Sequence, residues 1–140
     1  MANLSHRSTP RSRPVPAKDL TWSRLVASFG YAFHGLRITW QNELNFRLEV
    51  AAGTLALLLA LLLSVSPVPV LLCTGLVLGL ELVNSAVEAT VDLLSPQPHP
   101  LAKRAKDACA GAVLVASLAA ALVGLWLFVP ALWALVTGGQ

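Results

Sequence analysis

The chain has 140 residues and a formal net charge of +3, with 56% hydrophobic and only 12% charged residues. About a quarter of the residues in a soluble domain are charged, so this composition excludes an ordinary soluble domain. The length is that of one domain. The small positive charge calls for no nucleic-acid partner, and we expect it to reflect membrane topology.

The N-terminal segment, residues 1–18, is rich in Ser, Arg and Pro and is predicted to be a flexible basic arm. Disorder without function is the favoured interpretation, and contact with anionic lipid of the inner leaflet is the alternative. From about residue 19 to 42, aromatic and aliphatic residues recur at helical three- and four-residue spacing. Arginines flank this stripe, and no soluble domain remains for it to pack on. We therefore predict an amphipathic helix in the membrane interface.

Three apolar segments follow, at about 46–65, 68–94 and 106–129, and a transmembrane helix needs roughly 20 such residues. All ten Lys and Arg residues lie before Leu48 or within Lys103–Lys106. By the positive-inside rule, the N-terminus and the second connector are cytoplasmic. The predicted fold is all-α and membrane-integral, with one interfacial helix and three transmembrane helices. It forms one domain over residues 19–136 in the inner (cytoplasmic) membrane.

The second predicted span carries the polar residues that point to function. Glu81, Glu88 and Asp92 fall within roughly 40° of one another on a helix, with Asn84 on the same side. The opposite face carries small residues, which let helices approach closely in lipid: Gly75, Gly79, Ala86 and Thr90. This pattern predicts one face for helix packing and the other for chemistry.

The connector after this span, about residues 95–101, contains three prolines and His99 and is predicted to be non-helical. Basic residues follow it at the start of the third span. Cys73 and Cys109 lack the spacing of a metal or redox pair and are predicted to be small core residues.

A charged residue at the centre of a bilayer costs roughly 2.5 to 3.5 kcal/mol, so the acids of the second span need a partner. Ion pairs with Lys103, Arg104 or Lys106 would account for one or two of them. A Mg²⁺ site accounts for more, because Mg²⁺ binds carboxylates together with substrate phosphates, which Arg104 and Lys106 would also contact. Glu81, the deepest acid, suits a general base for a lipid hydroxyl.

The sequence contains neither a P-loop nor the motifs of protein kinases, so any nucleotide site is of another type. An alternative from a different class stays open: a small non-enzymatic membrane protein whose acids serve ion or proton passage.

An ordered set of motifs resembles the bacterial membrane-integral diacylglycerol kinase family, which includes the undecaprenol kinases. Its elements are Gly35-Leu36-Arg37, Asn42-Glu43, Asn45-Phe46-Arg47, Glu49, the run Glu81-Leu-Val-Asn84-Ser-Ala-Val-Glu88-Ala-Thr-Val-Asp92, His99 and Ala105-Lys106-Asp107. The resemblance implies a homotrimeric, ATP- and Mg²⁺-dependent kinase of a lipid alcohol, with sites shared between subunits. The run from His99 to Val113, and Leu48 before Glu49, favour undecaprenol slightly over diacylglycerol.

The same resemblance implies the roles of individual residues. Glu81 is the catalytic base, Glu49 joins it at the lipid substrate, and Glu43 and Glu88 hold the metal. The remaining site residues are expected to bind the nucleotide: Tyr31, Asn84, Asp92, His99, Arg104, Lys106 and Asp107.

Overall fold

The computed structural model describes residues 22–138, so the predicted basic arm and the first residues of the predicted surface helix lie outside it. The described chain consists of four helices without strands: α1 (Trp22–Asn42), α2 (Leu44–Leu62), α3 (Pro67–Leu94) and α4 (Pro100–Val136). Within this part, α2, α3 and α4 are long and apolar enough to cross a membrane. The predicted all-α fold with three spans and a preceding helix is confirmed.

Helix α1 makes few contacts with the rest of the chain. It touches α2 and α3 near its C-terminal end, and its one buried residue is Thr39. The aromatic side chains of its apolar stripe are exposed, Trp22 by 80% and Phe33 by 70%. A stripe that finds nothing to pack on within its own chain is typical of a helix that lies on a membrane surface.

Short connectors join the first three helices, one residue between α1 and α2 and residues 63–66 between α2 and α3. Between α1 and α2 only Glu43 leaves the helical conformation, with φ −105° and ψ 115°, and its carboxylate does not cap α2. Helix α2 ends before Ser64, whose φ of 55° lies in the left-handed region. The amide of Val65 then donates to the carbonyl of Ala60 at 3.0 Å, which is the bond that closes a Schellman motif.

Helix α4 is longer than the predicted span 106–129 and begins inside the segment that was predicted to be non-helical. Pro100 occupies its first turn, where a missing amide hydrogen costs nothing. The preceding His99 caps the helix, since its Nδ1 accepts a hydrogen bond from the amide of Leu101 at 3.2 Å. The prolines therefore exclude a helix before residue 100 but not at it.

Helix α3 is the centre of the molecule, with α2 and α4 packed against it but hardly against each other. Its buried residues, Val70, Val77 and Glu81, lie on one face. Gly75 and Gly79 are exposed, with no atom within 4 Å of an added Cβ. Within one chain the predicted division of faces is therefore wrong, because the acidic face is also the packing face. Residue spacing shows which residues share a face of a helix, but not which other helix packs against that face.

Helices α2 and α3 approach closely at Gly53, where an added Cβ would overlap the Cγ2 and Oγ1 atoms of Thr74. We expect Gly53→Ala to lower the free energy of unfolding by about 1–3 kcal/mol, as overpacking does elsewhere. Thermal unfolding in detergent measures this effect. Gly111→Ala, on α4, is the matched control, since nothing lies within 4 Å of its Cβ position. Thr74→Ala should rescue part of the loss, and equal destabilisation by both glycine variants would contradict the close approach.

Candidate active site

A buried carboxylate lies in the middle of the packing face of α3. Glu81 is 3% exposed and is the one buried charged residue of the described chain. Glu81 interacts electrostatically with Glu43, Glu88 and Glu49, which all carry a carboxylate. We call these four residues the glutamate cluster. The helix packing thus brings together acids from the α1–α2 corner, from α2 and from α3.

The depth of this cluster follows from the length of α3. Counted from Pro67 at 1.5 Å per residue, Glu81 lies about 21 Å along the helix and Glu88 about 31 Å. The hydrocarbon core of a bilayer is about 30 Å thick. If Pro67 lies at one edge of that core, Glu88 lies at the opposite edge and Glu81 roughly 10 Å inside it.

Three polar atoms near the cluster are buried and lack a hydrogen-bond partner among the described residues: Glu49 Oε2, Asn84 Oδ1 and Ser85 Oγ. The amide nitrogen of Asn84 is used, since it donates to Glu88 Oε1 at 3.1 Å. Buried polar atoms in native proteins are nearly always paired, so unpaired ones indicate room for a ligand, ion or water. Sequence reasoning missed Ser85, although its position four residues after Glu81 places it on the same helical face.

A second polar site lies at the end of α3 and the start of α4. Lys106 Nζ contacts Asp92 Oδ1 at 2.5 Å, and Lys103 forms an ion pair with Asp107 within α4. A pocket of about 770 Å³, the connector pocket, lies beside these pairs and is lined by four of the predicted nucleotide residues: Asp92, His99, Lys106 and Asp107. Lys103 also lines it and was not predicted to contact the nucleotide.

Three of the seven residues predicted to bind nucleotide do not line the connector pocket. Tyr31, on α1, is 78% exposed, Asn84 donates a hydrogen bond to Glu88 in the glutamate cluster, and Arg104 lies on α4 outside the pocket lining. The alternative in which lysines neutralise the acids holds for Asp92 alone. In residues 22–138, Glu81 and Glu88 form no ion pair.

The predicted metal ligands, Glu43 and Glu88, each interact electrostatically with Glu81. Across residues 22–138, no group of three His, Cys, Asp or Glu side chains is placed to hold a metal ion. Mg²⁺ usually binds through one or two carboxylates and completes its shell with water and substrate phosphates. Glu88 and the unpaired Asn84 Oδ1 supply oxygen ligands of the kind Mg²⁺ prefers, so these residues fit the ion.

Comparison with known proteins decides the family. Residues 30–128 match the family model described as prokaryotic diacylglycerol kinase. The chain belongs to the prokaryotic diacylglycerol kinase family. All the predicted site residues, from Tyr31 to Asp107, lie within the matched range.

Individual relatives from this family cover most of the chain. The undecaprenol kinase of Bacillus subtilis is 40% identical over 113 residues, which are 79% of this chain and 92% of the relative. The diacylglycerol kinase of Synechocystis is 39% identical over 137 residues, or 91% and 78% of the two chains. The diacylglycerol kinase of Escherichia coli K12 is 40% identical over 104 residues, or 72% and 85%.

Membership in the diacylglycerol kinase family, together with the three apolar helices, makes the chain a multi-pass membrane protein. It supports the predicted lipid kinase activity. The alternative of a non-enzymatic protein for ion or proton passage receives no support from these relatives, whose names are those of kinases.

Proposed function

We propose that this protein transfers the γ-phosphate of ATP to the hydroxyl of a membrane lipid alcohol, undecaprenol or diacylglycerol, in a reaction that depends on Mg²⁺. The observation that supports this most is the buried carboxylate of Glu81, held inside a spanning helix next to three further glutamates. A base at that depth is within reach of a hydroxyl that a lipid carries inside the membrane. A soluble substrate would not reach it.

In this proposal Glu81 accepts the hydroxyl proton as the lipid oxygen bonds to the γ-phosphorus. The bond between that phosphorus and the bridging oxygen of ADP breaks in the same step, and ADP leaves. Glu49 contacts the lipid head beside Glu81. In phosphoryl transfer the protein mainly positions the reactants and stabilises the charge of the transition state. A set of fixed carboxylates and lysines can do both.

Glu43 and Glu88 are the proposed metal ligands, with the free oxygen of Asn84 beside them. Bound Mg²⁺ would neutralise charge on the phosphates. The connector pocket offers Lys106 to phosphate oxygens, and we propose Asp92, His99 and Asp107 as further nucleotide contacts there. Arg104 remains a proposed phosphate contact because of its positive charge next to Lys106. Tyr31 remains a proposed nucleotide contact by resemblance.

The choice between the two lipids rests on few residues. The undecaprenol kinase and the Escherichia coli diacylglycerol kinase are equally similar to this chain, at 40% identity. The run from His99 to Val113, and Leu48 before Glu49, favour undecaprenol. We propose undecaprenol as the preferred acceptor.

The proposed location is the inner membrane, with a cytoplasmic N-terminus. The distribution of charge supports it, since the basic residues lie near the same ends of the spans as the connector pocket. ATP is a cytoplasmic substrate, which agrees with that side. Basic residues around α1 are proposed to contact anionic lipid of the inner leaflet.

A lipid-panel assay tests the function directly. The purified protein, in detergent or nanodiscs with ATP and Mg²⁺, receives undecaprenol, diacylglycerol or no lipid, and phosphorylated lipid is measured. We expect product only with a lipid alcohol, more with undecaprenol than with diacylglycerol, and none after removal of Mg²⁺. Lipid-independent ATP hydrolysis, or no product from any alcohol in folded protein, would contradict the proposal.

We also propose a homo-oligomer, a trimer by resemblance. Gly75 and Gly79 form a face of α3 that nothing in the described chain covers, and small residues of this kind let spanning helices pack closely. Gly75→Leu should therefore lower the trimer fraction seen by native mass spectrometry. Gly30→Leu, on α1, is the control, because its Cβ position is also free of contacts. An unchanged oligomer in Gly75→Leu would exclude this face as the interface.

A further inference from the structure

The last part of α4 extends beyond the start of α3, against which α4 packs. Lys106 of α4 contacts Asp92 near the end of α3 at 2.5 Å, and the two helices run antiparallel. Pro67, the first residue of α3, lies 25 residues before Asp92, which places it level with about residue 131 of α4. Val70 and Phe128, which this register puts at one level, line the same cavity. The last turn and a half of α4 therefore projects about 9 Å past the start of α3.

This projecting part, residues 131–136, is apolar on all sides, and we call it the terminal segment. Its four large side chains are 45–82% exposed. No charged residue lies between Asp107 and the last residue of the sequence. The helix ends at Thr137, whose amide and hydroxyl both donate to the carbonyl of Trp133, at 3.0 and 2.9 Å. A helix end with no polar face is unsuited to water and requires an apolar environment.

The length of α4 matches that of a bilayer together with both of its headgroup regions. Lys106 and Trp133 lie 27 residues apart, which is about 40 Å along the helix. A bilayer with its headgroup regions is about 40–45 Å thick. With Lys106 in one headgroup region, Trp133 reaches the other, whereas Trp126 lies about 10 Å deeper, in the hydrocarbon core. Tryptophan is enriched at membrane–water interfaces because its ring is apolar and its N–H is polar.

We propose that the terminal segment is an interfacial anchor, which binds the lipid headgroup region of the leaflet opposite the connector pocket through Trp133. The segment lies outside residues 30–128, the range of the family match, and the inference is independent of the proposed kinase function. A helix that docks on a protein usually has one apolar and one polar face, and the terminal segment has no such division. Because α4 is one continuous helix, an anchor at this end also fixes the depth of Lys106 at the other end.

Tryptophan fluorescence tests the depth of the terminal segment. Two variants each retain one tryptophan, Trp133 or Trp126, and carry Phe in place of the other three tryptophans of the chain. Each is reconstituted in phosphatidylcholine vesicles with bromine either close to the headgroup or deep in the acyl chains. We expect the shallow bromine to quench Trp133 more strongly and the deep bromine to quench Trp126 more strongly. The depths of the two indoles should differ by about 10 Å.

The same quenching data contain the results that would contradict the anchor. Equal depths of Trp133 and Trp126 would overturn it. Strong quenching of Trp133 by iodide in solution, with no quenching by the shallow bromine, would place the segment in water and also overturn it. Protection of Trp133 from iodide and from both brominated lipids would indicate that a protein, such as a second copy of this chain, covers the segment instead of lipid.

Arginine substitutions provide a second measurement that does not use fluorescence. An arginine is costly in the hydrocarbon core but tolerated near the membrane surface, where its long side chain reaches water. In nanodiscs, Trp126→Arg should lower the Tm by about 5 °C or more, and Trp133→Arg by less than about 2 °C. Both side chains are exposed in the described chain, by 83% and 70%, so the two variants lose similarly little packing. An equal or larger loss in Trp133→Arg would overturn the inference.

Discussion

Replacing Glu81 with Gln should lower kcat for lipid phosphorylation by about 10²- to 10⁴-fold, because an amide cannot accept the hydroxyl proton. ATP–Mg²⁺ binding should stay nearly unchanged, since Glu81 lies about 10 Å deeper than Glu88 along α3. The substitution keeps the size of a side chain that is 97% buried, so the surrounding packing should survive. The measurements are kcat and nucleotide affinity by calorimetry, made on the same preparation.

The comparison that separates chemistry from structure uses thermal unfolding. A purely structural role for Glu81 predicts lower stability and parallel losses in binding and turnover. A catalytic base predicts a selective loss of kcat in protein that unfolds at or above the wild-type temperature. Near wild-type turnover by Glu81→Gln would show that Glu81 is not the catalytic base.

The second large effect is expected at Glu88. Glu88→Gln should raise the Mg²⁺ concentration for half-maximal activity by about 10- to 100-fold, the range seen when the support of a metal site is removed. The neutral amide is a poorer ligand for a hard cation than the carboxylate. Its oxygen still accepts the hydrogen bond from Asn84 Nδ2, so the local geometry of α3 is kept while the charge is lost.

Titrations of activity against Mg²⁺ and calorimetric titrations with ATP report this effect. Glu88→Asp is the control, because it keeps the negative charge and should fall between the wild type and Glu88→Gln. If Glu88→Gln shows wild-type Mg²⁺ dependence, Glu88 does not bind the metal and the metal site must be sought around Glu43.

The spans and their order follow from local properties of the chain. Long uncharged runs have to lie in lipid, and the basic residues stay outside, so three spanning helices can be predicted without any tertiary contact. The predicted second span, 68–94, agrees with α3 to within one residue. The shared face of Glu81, Glu88 and Asp92 follows equally from the pitch of a helix.

The start of α4 shows where local rules are ambiguous. Prolines disfavour helix, yet Pro100 is tolerated because the first turn of a helix needs no amide donor. The density of prolines predicts a break but not its last residue. His99, with its side-chain cap on the amide of Leu101, marks that boundary in the structure.

What the sequence determined by itself was the membrane-integral helical fold, the acidic face of α3 and, through its motifs, the family. Only the tertiary structure decided which residues meet across the helices. Glu43 and Glu49 reach Glu81 because α2 returns antiparallel along α3, with Gly53 against Thr74. The packing also buried Glu81 and left Gly75 and Gly79 exposed. Periodicity is a property of one helix, whereas burial depends on which neighbour the chain brings against each face.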